Sequence, residues 1–76
     1  QFAGGPDSPD VVGLPGYHLE VKWVERLNLR NAMAQSERDA GDQEVPIVVH
    51  KSNGKPWLVT LSLDDFLDMI QKEAPE

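Results

Sequence analysis

Two carboxylates and one lysine, Asp10, Glu20 and Lys22, are the residues whose types and spacing could do chemistry together. They stand at the two ends of one stretch, DVVGLPGYHLEVK, from Asp10 to Lys22. If that stretch folds back at Leu14-Pro15-Gly16, Asp10 comes near Glu20 and Lys22. A hard divalent cation such as Mg²⁺ or Mn²⁺ takes oxygen ligands and keeps waters for chemistry. Asp10, Glu20 and the backbone carbonyl of Val21 offer three such oxygens. A cation held there lowers the pKa of a bound water and stabilises charge on a phosphate. Lys22, two residues beyond Glu20, can orient the attacking water or offset the developing negative charge. The expected chemistry is metal-assisted phosphodiester hydrolysis. Plainer readings stand beside it. Asp10 can be a turn-flanking acid after Pro9. Glu20 and Lys22 can be a solvated strand face, paired across strands for roughly a few tenths of a kcal/mol.

The elements that must position this set are legible in the pattern. Residues 1–9 carry Gly4, Gly5, Pro6 and Pro9 and are expected to form a loop. Asp10 to Leu14 is a short β-branched run, and Pro15-Gly16 is a turn. Tyr17 to Val24 alternates with period two, the strand signature, which puts His18, Glu20, Lys22 and Val24 on one face. Arg26 to Ala40 has helical character, with Asn28 as N-cap and Gly41 as stop. Its stripe is Leu29, Ala32, Met33 and Ser36, while Gln35 and Asp39, four apart, share another face. Val45 to Lys51 is a strand whose run Ile47-Val48-Val49 implies burial on both faces. Asn53-Gly54 signals a hairpin, and Trp57 to Leu61 is the returning strand. Ser62 with Asp65 makes a capping-box pattern for a last helix, with Leu63, Phe66, Leu67 and Ile70 as its buried stripe.

Other chemistries have less behind them. There is no cysteine, hence no thiol nucleophile, disulfide or thiolate metal site. No Gly-x-Ser-x-Gly elbow, phosphate-binding glycine loop or His/Cys zinc cluster is present. His18 shares the face of Glu20 and Lys22, and His50 ends the buried strand, but neither has a ligand at metal spacing. Lys51, Asn53 and Lys55 read as a solvated hairpin tip, although they could touch phosphate. Asp39, Asp42 and the Asp64-Asp65-Asp68 group read as surface. Trp23 and Trp57 read as core or edge residues, with base stacking the rival role for Trp57.

Seventy-six residues bound the chain to a single domain with a limited core. The net charge of −6 counts against a nucleic-acid partner. The acids nevertheless cluster in residues 39–44 and in the last helix, away from Lys22, Arg26 and Arg30. A metal-dependent nuclease also carries obligatory acids, and bound cations reverse the local sign. No apolar run approaches the roughly 20 residues of a membrane span, and a cytoplasmic location is expected. Gln1 is not an initiator Met, so residues 1–5 are expected to follow an upstream segment.

At these residues the sequence resembles the PD-(D/E)XK nuclease superfamily. Pro9-Asp10 matches its first acidic motif and Glu20-Val21-Lys22 its second. The longer run from Ser8 to Val59 is similar to the small Holliday-junction-resolvase-like nucleases of phages and prophages. In those, the Glu-x-Lys strand precedes a helix bearing a glutamine, matched by Gln35. An apolar strand ending in His and a basic residue follows, then Trp-Leu-Val, matched by Val48-Val49-His50-Lys51 and Trp57-Leu58-Val59. The resemblance implies an α/β fold, a small mixed β-sheet flanked by helices in a restriction-endonuclease-like core. Its N-terminal helix, which usually supplies a further acid, has no counterpart after Gln1. Residues 1–76 would be one nuclease-like domain, truncated at the N-terminus. The implied activity is a Mg²⁺- or Mn²⁺-dependent endodeoxyribonuclease acting on DNA, including branched DNA, as a homodimer of phage or bacterial origin. Asp10, Glu20, Lys22 and Gln35 would be catalytic, with Asp10, Glu20 and Val21 on the metal. The alternatives are a non-catalytic DNA- or protein-binding module on the same fold and a small interaction domain.

Overall fold

A computed structural model describes residues 14–73. The described elements run β1 (Tyr17–Trp23), α1 (Leu29–Asp39), β2 (Val45–Lys51), β3 (Leu58–Thr60) and α2 (Leu63–Glu73). The sheet order is β1-β2-β3, with β1 parallel to β2 and β3 antiparallel to β2. Among the described residues the fold is therefore a small mixed α/β arrangement of three strands and two helices. The strand expected over Asp10 to Leu14 falls almost wholly outside the described residues, and Asp10 with it.

The turn before β1 forms where Pro-Gly places it. Tyr17 N–H donates to the Leu14 carbonyl at 3.0 Å, and Gly16 sits at φ 86°. A Pro at the second position and a left-handed third residue make a type II turn, which needs glycine there. Gly41 differs. It follows the end of the helix directly, as the stop reading placed it, but without the left-handed conformation a glycine stop often takes, since the positive-φ glycines among the described residues are Gly16 and Gly54. The helix ends instead at extended Ala40, whose N–H still reaches the Ser36 carbonyl at 2.9 Å. Gly41 N–H then donates to Glu44 Oε1 at 2.8 Å, so a side chain closes the loop. Gly16→Ala is expected to lower the unfolding free energy by about 1 kcal/mol or more, while Gly41→Ala leaves it unchanged or raises it. Denaturant melts of the two variants check this pair of outcomes.

The parallel β1–α1–β2 unit holds the core. Asn28 caps α1 by accepting from Asn31 N–H at 3.1 Å. Ala32 and Ser36, one turn apart, are buried, and Ser36 Oγ donates to the Ile47 carbonyl at 3.1 Å. That bond pins the helix to the sheet. Ile47, Val48 and Val49 are all buried, as the unbroken apolar run implied. Val48 pairs with Glu20 and Thr60, and His50 with Lys22 and Leu58. The even-numbered residues of β1 and β2 thus share the face that α1 covers.

The other face departs further from expectation. Lys51, read as a solvated tip, is 8% exposed at the end of β2. It pairs with Trp23 in register, and its ammonium lies 4.9 Å from the Trp23 ring and 5.9 Å from that of Trp57. The two rings meet edge-on at 6.0 Å, so Trp57 is engaged by Trp23 and Lys51. Asn53 keeps a negative φ, accepts from Trp23 Nε1 at 2.9 Å and donates its backbone N–H to Glu25 at 2.6 Å. The connection is consequently longer than a two-residue hairpin, and β3 is shorter than Trp57 to Leu61. Ser62 caps α2 by accepting from Asp65 N–H at 3.1 Å. The stripe of α2, however, is not buried: Leu63 is 68% and Phe66 45% exposed. The helix instead turns Asp65 and Met69 toward Tyr17 and Val45. Its amphipathic pattern marks a sticky face, and three described strands leave that face uncovered.

Candidate active site

Glu20 and Lys22 project from β1 toward α1 because residues two apart on a strand share a face. Helix α1 supplies Gln35 across from them. Lys22 Nζ donates to Gln35 Oε1 at 3.1 Å, joining residues 13 apart in sequence. Both are half-buried, so the amide holds the ammonium in one place. Glu20 accepts from His18 Nε2 at 3.0 Å, with the two side chains 18% and 26% exposed. His18 therefore sits beside Glu20, at the edge of the site, as its shared face implied. His50, also on this face, bonds instead to Thr60 Oγ1 at 2.8 Å across β2 and β3. It stands beside Lys22 in the ladder, but its side-chain bond is to β3.

One residue read as surface joins the group. Asp39, four beyond Gln35, comes back over β1 so that ligand atoms of His18, Glu20 and Asp39 all lie within 4.8 Å of one another. The three could share a cation. The signal was available: Gln35 and Asp39 had been placed on one helical face, and that face is the one turned to β1.

Val21 offers its backbone rather than its side chain. At the ends of β1, the Gly16 carbonyl accepts from Val45 N–H at 2.9 Å and Val24 N–H donates to the Lys51 carbonyl at 3.2 Å. In a parallel ladder, one alternate set of residues bonds to a given neighbour. Here that set is even-numbered, so the Val21 carbonyl points away from β2, toward the side of β1 that no described strand covers. Pro15-Gly16 turns the chain at the start of this same strand. Asp10 lies outside the described residues.

Beyond Lys22 the face opens into a cleft of about 510 Å³ between the end of β1, the following loop and α1. Arg26 and Arg38 line it with Lys22 and Gln35. Neither arginine was singled out as a site residue from sequence, because they are far apart in the chain and line one cleft only when α1 folds back over β1.

No family model matches the chain, and neither a curated protein nor a solved structure matches it. No helix among the described residues is long and apolar enough to cross a membrane.

Proposed function

We propose that the chain is a metal-dependent DNA endonuclease of the PD-(D/E)XK type, built on a restriction-endonuclease-like core and acting on branched DNA such as a Holliday junction. One observation carries this reading. The Glu-x-Lys strand and the helix glutamine, separate motifs in sequence, converge through the Lys22–Gln35 bond at 3.1 Å.

The described residues fit a hard divalent cation. Glu20 presents a carboxylate on the α1 face and Val21 a carbonyl on the adjacent side of β1 that no described strand covers, both oxygen donors of the type Mg²⁺ and Mn²⁺ prefer. Asp10, across the Pro-Gly turn, is the third proposed ligand. When bound, the ion supplies charge neutralisation at the phosphate and a more acidic water. Lys22 then donates a hydrogen bond to a phosphate oxygen or to the attacking water, offsetting negative charge as it develops. Gln35 fixes the direction of the Lys22 ammonium and acts through it as a positioning residue. Two symmetric cuts in a junction need two such sites, so the working unit is a homodimer.

The test is incubation of the chain with linear, nicked and four-way-junction DNA in Mg²⁺ or Mn²⁺, with a chelator control. Expected is metal-dependent strand cleavage, fastest on the junction. Intact DNA of all three kinds with either metal would sink the proposal.

A further inference from the structure

The cleft beside Lys22 has a charge unlike the rest of the molecule. The chain holds seven Lys and Arg against thirteen Asp and Glu. Three of those seven cations, Lys22, Arg26 and Arg38, line this cleft together with Asn28, Asn31 and Gln35, and no carboxylate of a described residue does. Three other concavities among the described residues mix their signs. Arg30 lines one with Glu37, Lys51 and Lys55 line one with Glu25, and Lys72 lines one with Asp65 and Asp68. Neither Arg26 nor Arg38 makes an ion pair with a described residue. Two guanidinium groups without an ion pair among the described residues, lining one concavity with Lys22, give it a positive local field that favours an anion.

The layout is linear. Asn31, Gln35 and Arg38 follow at helical spacing along one stripe of α1, spanning about 10 Å of axis. Lys22 closes one wall and Arg26 the loop side. Lys22 belongs both to the proposed catalytic set and to the cleft, so the cleft begins where the cut would occur.

We infer that this cleft is the track for the DNA strand flanking the cut, with Arg26 and Arg38 each neutralising a backbone phosphate next to the one that Lys22 faces. The inference rests on the nuclease reading for the identity of the polyanion. Guanidinium suits the role because its forked N–H groups match phosphate oxygens in pairs. Such contacts give affinity and register without reading bases.

The test is the salt dependence of binding of the full chain to a four-way junction and to a linear duplex, in chelator, where no hydrolysis occurs. Each neutralised phosphate contributes about 0.9 to the slope of log K against log salt on duplex DNA. Arg26→Gln and Arg38→Gln are each expected to reduce the slope by about that amount, and the double variant by about twice as much. Arg30→Gln makes the same change in net charge outside the cleft and is expected to leave the slope as it is. Both cleft arginines are exposed, so the melting curves of these variants should overlay that of the parent. An unchanged slope in the double variant, or an equal fall in Arg30→Gln, overturns the track. If the slopes fall as expected while no DNA is ever cut, the nuclease reading fails and the track stands. Cleavage with unchanged slopes has the opposite meaning.

Discussion

Replacing Lys22 with alanine is expected to slow the proposed metal-dependent DNA cleavage by about 100- to 1,000-fold, the range seen when one preorganised donor is removed from a reacting centre. The expectation follows from placement. The ammonium shares a strand face with Glu20 and is held by Gln35 Oε1 at 3.1 Å rather than left to sample solvent. A donor fixed in advance needs no reorganisation when charge develops, whereas a free surface lysine contributes little. Gln35→Ala leaves the ammonium in place but removes its tether, and a smaller loss of about 10- to 100-fold is expected, as for other supporting partners of a site. Lys22→Arg should not rescue the rate, because a planar fork cannot occupy the position of a compact ammonium. Glu20→Gln is expected to weaken the proposed metal site, so raising Mn²⁺ should recover part of its activity and none of that of Lys22→Ala. Single-turnover rates on a labelled junction, with circular dichroism to show that each variant is folded, separate these outcomes. A Lys22→Ala chain that cuts as fast as the parent would remove the lysine from the chemistry.

What could be read in advance follows from how local each signal is. Asn28 and Ser62 were legible as caps because a cap is a bond to an amide three residues away, set by local geometry. The shared face of Glu20 and Lys22 was legible because strand alternation needs no knowledge of the partner strand. The run Ile47-Val48-Val49 carried its own burial. Lys51 was misread because its environment is created by register: it becomes buried only when parallel pairing sets it beside Trp23 and the hairpin returns Trp57. The α2 stripe was misread for a similar reason, since amphipathicity states that a face can be buried and not what is available to bury it. Asp39 and the Arg26–Arg38 cleft depend on the crossing of α1 over β1, which no local pattern encodes. Gly41 was legible as the stop, since α1 ends just before it, whereas the Glu44 carboxylate that takes its N–H was not.

The largest effect on stability is expected at Val48. It is fully buried, stands between Glu20 and Thr60 in the sheet, and lies on the face that α1 covers. Val48→Asp would place a second carboxylate beside Glu20 without a partner. Leaving one charge buried and unpaired costs about 3–5 kcal/mol. A small domain has only about 5–15 kcal/mol to lose, and often the lower part of that range. The variant is therefore expected to lose most of its helical signal at room temperature. Val59→Asp is the matched control: Val59 pairs with Val49 on the opposite face and is 60% exposed, so its melt should shift by no more than about 0.5 kcal/mol. Equal damage from the two would mean that the assignment of sheet faces is wrong. The comparison also bears on function, because Val48 is the floor on which the site stands. Ser36 anchors α1 to the carbonyl of neighbouring Ile47 at 3.1 Å, and α1 in turn delivers Gln35 to Lys22. A milder cavity variant, Val48→Ala, should keep the fold but loosen that platform. Its cleavage rate should fall together with its stability, whereas Lys22→Ala should reduce the rate with little change in stability.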